Sequence, residues 1–166
     1  MTNLTTLTLC ELTTTTVDGL ESYSPFCVKV HRALRAAGLS YARRHANDPA
    51  AYRSINPARQ VPVLLIGDEP VADSTRILAK LEELGHRSLL AGLDPRERAE
   101  ALLWEELADT ALNGFLVAAR WADEDNWPLV EEAYFHAMPW LVRKVVPGRV
   151  RARVLKAAPP AAGCAS

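Results

Sequence analysis

Three short motifs in the first half of the chain combine residue types that can bind and activate a small thiol. They are Ser24-Pro25-Phe26-Cys27, Val61-Pro62-Val63 and Asp73-Ser74. The first and the third each begin a predicted helix, where unpaired backbone N–H groups and a partial positive charge stabilise a thiolate or a carboxylate. The second places a proline at the head of a predicted strand, where it removes one backbone donor.

Together the three motifs describe a surface for an extended peptide. With a cis bond before Pro62, the preceding backbone groups turn outward and can pair with an added strand. Asp73 can meet an ammonium group, while Ser74 and the amides beside it can meet a carboxylate. A small peptide with a central thiol and a zwitterionic end fits this surface, and glutathione has that composition.

The elements that position these motifs alternate between strand and helix. The sequence predicts them, in order, over residues 4–12, 24–38, 40–46, 49–55, 60–66, around 71, and 73–85. This β-α-β-α-β-β-α order favours crossover units with a terminal hairpin that adds one antiparallel edge, which is an α/β fold. Residues 1–86 are therefore interpreted as one α/β domain.

From Asp94 onward the apolar pattern is purely helical. Asp94-Pro95-Arg96-Glu97 has the form of a capping box, and it begins a helix that runs towards Trp121. Two further helices are predicted before Pro139 and from Trp140, and Pro147-Gly148 is expected to interrupt the chain again before a last basic stretch. Residues 94–156 are interpreted as an all-α domain and residues 157–166 as a disordered tail.

The three motifs also carry a family resemblance. Residues 1–86 resemble the thioredoxin-like domain of glutathione transferases, with Ser24 in place of the first cysteine of a glutaredoxin-type Cys-Pro-Phe-Cys. The segments 56–64 and 72–75 resemble the transferase segments that contain the cis-proline and hold the γ-glutamyl end. More narrowly, residues 24–30 and 34–39 look like the branch of metaxins, failed-axon-connections proteins and their bacterial transferase relatives.

The resemblance implies a role for each site residue. Ser24 would be the catalytic residue, donating a hydrogen bond to the glutathione sulfur and favouring its thiolate. The glutathione-binding residues would be Gln60, Val61, Pro62, Asp73 and Ser74, with Val61 pairing through its backbone with the cysteinyl unit. Gln60 would face the glycine carboxylate, with Arg59 as a second candidate for this contact. Ser22 is an alternative to Ser24 for the contact with sulfur.

The implied reaction is attack of the glutathione thiolate on a small hydrophobic electrophile, with glutathione as co-substrate and no metal. Members of the family continue through several more helices after the position of Lys156, so the helical domain is expected to be shortened. The apolar stripe of Leu102, Leu103 and Leu107 would then be uncovered, which invites a homodimer.

A non-catalytic module that binds a partner or a membrane is the alternative function. The basic stretch after Glu132 supports it through attraction to an anionic membrane surface. Thiol–disulfide exchange through Cys27 is a third hypothesis, although Cys27 falls on the apolar face of its helix, where a buried small side chain is expected.

Composition excludes several other classes. The formal net charge is −1, whereas nucleic-acid binding is accompanied by a basic excess, so no nucleic-acid partner is expected. The four histidines have no mutual spacing typical of a metal site. Three cysteines far apart in sequence fit a reducing compartment, and a cytoplasmic protein is predicted.

Overall fold

The computed structural model describes residues 6–84 and 88–157. The described chain forms two compact units, which divide between Arg98 and Ala99. The predicted domain boundary, between residues 87 and 93, precedes that division. His86, Cys164 and the predicted tail beyond Ala157 lie outside the described residues, and Ala157 itself is the last residue of a helix.

The first unit contains a four-stranded sheet and two α-helices, in the predicted order. The elements are β1 (Leu7–Leu12), α1 (Pro25–Ala36), β2 (Ala42–Ala46), a 3₁₀ turn (Pro49–Tyr52), β3 (Val63–Ile66), β4 (Glu69–Ala72) and α2 (Ser74–Glu83). The strands lie side by side in the order β2-β1-β3-β4. This is the predicted thioredoxin-like arrangement.

Only β1, α1 and β2 form a parallel crossover unit. β2 is parallel to β1, whereas β3 runs antiparallel to β1 and pairs with β4 in a hairpin. The helix α1 carries the chain back across the sheet, so that β2 runs in the same direction as β1. The segment that contains the 3₁₀ turn then leads into β3, which runs in the opposite direction.

The sheet is covered on both faces. On one face α1 and α2 pack on the sheet through a cluster of buried side chains, comprising Leu7, Leu9, Val30, Ala33, Leu34, Leu64, Ile77 and Leu81. On the other face Cys10 and Val63 pack against Tyr52 of the 3₁₀ turn. The helix α1 ends before Gly38, whose φ of +70° suits glycine.

The second unit is entirely helical within the described residues. Its elements are α3 (Pro95–Leu107, which begins in the first unit), a π-helical turn (Ala108–Leu112), α4 (Asn113–Val117), a second π-helical turn (Ala118–Ala122), α5 (Trp127–Phe135), α6 (Trp140–Arg143) and α7 (Val146–Ala157). The predicted capping box is present, because the Asp94 N–H donates to Glu97 Oε2 over 2.8 Å and the Glu97 N–H to Asp94 Oδ1 over 2.9 Å.

The expected interruption at Pro147-Gly148 is wrong, because α7 begins at Val146 and includes both residues. Pro147 occupies the first turn, where a helix needs no backbone donor, so the ring is accommodated. The buried core of this unit consists of Trp121, Val130 and Phe135. The stripe of Leu102, Leu103 and Leu107 is uncovered, since these side chains are exposed by 54, 71 and 45%.

None of the described helices is both long and apolar enough to cross a membrane.

Candidate functional site

Ser24 caps the N-terminus of α1. Its Oγ accepts a hydrogen bond from the Cys27 N–H over 3.4 Å, and Pro25 occupies the first position of the helix. The oxygen acts as an acceptor in this bond, which does not use the hydroxyl proton. Ser24 is half-buried at the amide-rich end of the helix, where a nearby negative charge is stabilised.

Ser22 and Ser24 occupy different positions in the loop. Ser22 is 2% exposed, and its Oγ accepts the Ser24 N–H over 3.3 Å. Ser22 therefore orders the backbone beneath the cap, whereas Ser24 is the serine with accessible surface. Geometry favours Ser24 as the residue that a ligand would touch.

Cys27 has the properties of a core residue. It is fully buried, and burial raises the pKa of its thiol to about 11 despite the neighbouring hydroxyls of Ser24 and Ser22. The negative charge of Glu11 raises that pKa further. A thiol with this pKa stays protonated at neutral pH, which argues against nucleophilic or redox chemistry at Cys27.

The strand register brings the second and third motifs together. Val63 of β3 pairs with Ala72 of β4 at the end of the hairpin. Pro62 immediately precedes Val63 and Asp73 immediately follows Ala72, so both lie just beyond that last pair, at the same end. The Val61–Pro62 peptide bond is cis, the geometry that the sequence resemblance implied. Gln60 is exposed and Val61 is half-buried, so the segment that leads into β3 lies at the surface.

Asp73 and Ser74 begin α2. Asp73 is the N-cap, with its Oδ1 3.1 Å from the Arg76 N, and its φ is +81°, a left-handed value that is rare for residues other than glycine. Asp73 is exposed, whereas Ser74 is 2% exposed. The structure thus presents the carboxylate of Asp73 to solvent, while the Ser74 side chain lies beneath it.

A contact between the two helices links Ser24 to this region. Lys29 Nζ of α1 lies 3.4 Å from Thr75 Oγ1 in the first turn of α2. Lys29 lies in the second turn of α1, and its side chain reaches the start of α2. The register of β3 and β4 sets the loop before β3 at the same end of the hairpin as the start of α2. The predicted site residues Ser24, Val61, Pro62, Asp73 and Ser74 share one end of the sheet.

Sequence reasoning missed two residues of this region. Asn56, which has no individual role in the predicted segment 56–64, is 8% exposed and holds the loop before Val61 through its side chain. Glu11, read as an ordinary strand residue, is fully buried against His31. The signal for Glu11 was present, since it shares the inward face of β1 with Leu7 and Leu9, where a carboxylate needs partners.

The described residues contain no group of three or more His, Cys, Asp or Glu side chains able to hold a metal ion. A shallow cavity of about 360 Å³ lies between β4 and α2, and it is lined by Val71, Ala72, Arg76 and neighbouring residues rather than by Ser24 or Val61. What the site offers is a hydroxyl, two helix N-termini, a carboxylate and the half-buried backbone segment at Val61. Groups of these kinds can bind an anionic or zwitterionic peptide and can lower the pKa of a thiol.

Comparison with known proteins agrees with the class that the fold defines, a thioredoxin-like domain followed by a helical region. The family model described as "Glutathione S-transferase N-terminal domain" matches residues 25–126. The chain belongs to this glutathione S-transferase family.

Individual relatives are glutathione transferases. Glutathione transferase GST 23 of Zea mays is 36% identical over 99 residues, which are 56% of this chain and 44% of that protein. A glutathione transferase family member from Pseudomonas fluorescens, solved with bound glutathione, is 23% identical with a TM-score of 0.57, over 94% of this chain and 72% of the other. A Tau class transferase from mango is 19% identical with a TM-score of 0.54, over 76% and 58% of the two chains.

The matched region is limited in the curated relatives. The chain spans about half the length of those it matches, from 40% for glutathione S-transferase U7 of Arabidopsis thaliana to 52% for a probable glutathione S-transferase of Glycine max. The likeness to the solved structures extends the shared fold beyond the first unit, because it covers 94% of this chain in the Pseudomonas fluorescens protein.

Proposed function

We propose that the chain binds glutathione at the end of the sheet where α1, α2 and the loop before β3 meet, and conjugates its thiolate to a small hydrophobic electrophile. The observation that carries the proposal is the register of β3 and β4, whose last pair, Val63 and Ala72, leaves Pro62 and Asp73 at the same end of the hairpin. Family membership supports the same ligand, since relatives of this family are named for glutathione.

Each part of the tripeptide has a counterpart in the site. Val61 offers its backbone to the cysteinyl unit, and Asp73 offers a carboxylate to the γ-glutamyl ammonium. The N-terminus of α2, including Ser74, faces the γ-glutamyl carboxylate. Gln60 and Arg59 meet the glycine carboxylate in this proposal, and both are exposed.

Ser24 acts on the sulfur. Its hydroxyl donates a hydrogen bond to the thiolate of bound glutathione, which favours the charged form and lowers the pKa of the ligand thiol. The thiol proton passes to solvent. The thiolate then attacks an electrophilic carbon, a C–S bond forms, and either a leaving group departs with its electron pair or, in an addition, the adjacent carbon takes up a proton.

Calorimetric titration with reduced glutathione tests binding. We expect a measurable heat with glutathione and weaker binding of an analogue in which the free α-carboxylate of the γ-glutamyl unit is converted to a methyl ester. The absence of binding at millimolar glutathione would contradict the proposal. Turnover with a chromogenic aryl halide then tests conjugation separately from binding.

A non-catalytic binding module is the second candidate function, and one observation favours it. No acidic residue follows Glu132 in the sequence, and the basic segment contains an exposed aromatic side chain, Trp140, with Lys144 Nζ 4.5 Å above its ring. Trp140 and Leu141 are 65 and 63% exposed, which suits a protein or anionic lipid surface. Glutathione affinity without turnover, together with co-sedimentation on anionic but not neutral vesicles, would favour this candidate.

Three finer assignments belong to the proposal. The narrower kinship with metaxins and failed-axon-connections proteins stays a prediction. A homodimer would cover the exposed stripe of Leu102, Leu103 and Leu107. The molar mass of the protein in solution tests this prediction. A cytoplasmic location fits the scattered cysteines and would be tested by fractionation.

A further inference from the structure

The side chain of Asn56 bridges two points of the loop that leads to β3. Its Nδ2 donates to the Gln60 carbonyl oxygen over 2.9 Å, and its Oδ1 accepts the Ala58 N–H over 3.1 Å. Both ends of the amide are therefore satisfied inside the loop. Asn56 is 8% exposed, so these bonds compete little with water.

The bond to Gln60 has a geometric consequence for the next residue. The Gln60 carbonyl and the Val61 N–H belong to the same peptide unit, which is planar and trans, so the two groups point in opposite directions. A carbonyl held inward by Asn56 therefore aims the Val61 N–H away from the loop. Within the described part of the chain no hydrogen bond is made by that N–H.

Asn56 is itself held by the buried side of the sheet. Its backbone N–H donates to the Tyr52 carbonyl oxygen over 2.8 Å, and the Tyr52 hydroxyl donates to the Glu11 and Arg44 carbonyl oxygens over 2.9 and 2.6 Å. Burial raises the pKa of the Tyr52 hydroxyl to about 12, so it stays a donor. The bridge is thus tied to β1 and β2 rather than to mobile surface groups.

The loop keeps a left-handed residue in place. Arg59 has a φ of +56°, and its N–H donates to the Asn56 carbonyl oxygen over 2.9 Å. A residue other than glycine in this region costs on the order of 1 kcal/mol and persists when its surroundings fix it. Asn56 makes three of the bonds that fix this loop, two through its side chain and one through its carbonyl.

We infer that Asn56 is a positioning residue for the peptide ligand: by holding the Gln60 carbonyl it aims the Val61 N–H at the cysteinyl carbonyl of glutathione. This inference rests on the proposed function, because it assumes that Val61 meets the tripeptide backbone. Asn56 does not touch the ligand. It acts on affinity for glutathione through the orientation of one backbone donor.

The alternative is that Asn56 only closes a turn. The turn depends on Oδ1, which accepts from Ala58, whereas the orientation of the Val61 N–H depends on Nδ2, which donates to Gln60. Asn56→Asp keeps the acceptor and replaces the donor with an oxygen that repels the Gln60 carbonyl. Asn56→Ala removes both bonds. The two substitutions therefore separate turn closure from donor orientation.

The test measures the glutathione Kd by calorimetry, and the KM values and kcat of conjugation, for the full chain and its variants. We expect both Asn56→Asp and Asn56→Ala to raise the glutathione Kd and its KM by about 10-fold, equivalent to the loss of one net hydrogen bond. The KM for the electrophile and kcat at saturating glutathione should stay within about 2-fold.

The matched control is Asp48→Ala. Asp48 Oδ1 accepts the Ala50 N–H over 2.8 Å in the preceding turn, so this variant loses a similar local bond without reaching Val61. It should bind glutathione like the parent chain. Circular dichroism confirms that each variant is folded, and if Asn56→Ala does not fold, Asn56→Asp carries the test.

Three results have distinct meanings. A parent chain that binds no glutathione overturns the proposed function, and the inference falls with it. A parent chain that binds while a folded Asn56→Asp binds equally well overturns the inference alone. Amide hydrogen exchange gives a second readout: glutathione should protect the Val61 amide in the parent chain, and protection should be weaker in Asn56→Asp at equal ligand occupancy. Equal protection contradicts the proposed orientation.

Discussion

His31 Nε2 lies 3.1 Å from Glu11 Oε2, and neither side chain has any exposed surface. The other oxygen of the same carboxylate accepts Arg43 Nε over 2.6 Å, and His31 Nδ1 lies 2.7 Å from the Tyr41 hydroxyl. Burial alone would raise the pKa of the Glu11 carboxyl. The hydrogen bonds and charges of His31 and Arg43 outweigh burial, so that pKa is lowered from its ordinary 4.5. A charged carboxylate is thus retained in the core.

The buried pair predicts an acid-sensitive fold. A carboxyl whose pKa is lowered by folding stabilises the native state above its ordinary pKa, and this stabilisation is lost as the pH falls through the lowered value. Glu11→Gln should lower the free energy of unfolding near pH 7 by about 3 kcal/mol, because His31 and Arg43 lose a buried partner. It should also flatten the acid branch of stability against pH, measured by urea unfolding from pH 7 to pH 3.

Glu83→Gln is the control for that experiment. Glu83 pairs with Lys80 at the surface over 3.1 Å, with the glutamate side chain 67% exposed. An exposed pair contributes at most about 1 kcal/mol, so the acid branch should be unchanged. An acid branch as steep in Glu11→Gln as in the parent chain would contradict the assignment to Glu11.

Ser24→Ala separates catalysis from capping. Loss of the hydroxyl that donates to the thiolate should lower kcat by about 100-fold while the glutathione Kd changes little. Loss of the cap to the Cys27 N–H should also cost about 1 kcal/mol of stability. Steady-state kinetics and thermal unfolding measure the two effects. Ser24→Thr, which keeps the hydroxyl and the cap, should retain most of both, and an unchanged kcat in Ser24→Ala would remove Ser24 from the reaction.

Asp73→Asn tests the charge at the start of α2. Asparagine keeps the cap oxygen for the Arg76 N–H and tolerates a positive φ, so the fold should be unchanged. The variant lacks the negative charge proposed to meet the γ-glutamyl ammonium, and its glutathione Kd should rise by about 10-fold or more. The matched control is Asp94→Asn, which makes the same change at the cap of α3. This variant should bind glutathione as the parent chain does. Equal affinity in both variants would argue against an ionic contact at Asp73.

The thiol of Cys27 should be nearly inert in the folded protein. With a pKa of about 11, about one thiol in ten thousand is ionised at pH 7, and full burial slows access further. Iodoacetamide should label Cys27 at least about 100-fold more slowly in buffer than in 8 M urea, as followed by peptide mass spectrometry. Rapid labelling of the folded protein would instead favour the thiol–disulfide hypothesis.

Among the cationic side chains of α7, Arg151 should be the one whose substitution lowers stability most. Its Nε donates to the Trp121 carbonyl oxygen over 2.7 Å, its NH2 group reaches the Ala122 carbonyl and Glu124, and its guanidinium lies 4.8 Å above the Trp127 ring. Arg151→Ala should lower the stability of the helical unit by about 2 kcal/mol, measured by urea unfolding of the full chain. Arg153→Ala, at an exposed position, should change it by less than about 0.5 kcal/mol.

The order of elements in the first unit was predictable because each signal was local. Ser24-Pro25 and Asp73-Ser74 are caps whose meaning depends on a few neighbouring residues, and the apolar spacing of α1 and α2 is strong. The beginning of β3 was less predictable. The prediction began the strand at Gln60, yet β3 begins at Val63, because Pro62 has no backbone donor and the Gln60 carbonyl is already bound by Asn56.

The roles of Glu11 and Asn56 depend on contacts that local patterns do not contain. Glu11 is stabilised by His31, twenty residues later, and by Arg43, on the neighbouring strand. Asn56 matters because Tyr52 fixes its backbone to the sheet. The type of a residue shows which bonds it can make, but only the folded chain shows which partner it meets. The second unit was read correctly as helical, whereas the position of the last helix was wrong at Pro147.

A protein that works among alkylating molecules is exposed to damage by them. The sulfur that reacts in the proposed conjugation comes from the tripeptide and leaves with the product, while the chain's own sulfur next to the reaction centre, that of Cys27, remains protonated and shielded. Inactivation by substrate should therefore be slow even at high electrophile concentration, and the working lifetime of the protein would be set by its folding stability rather than by self-alkylation at this position.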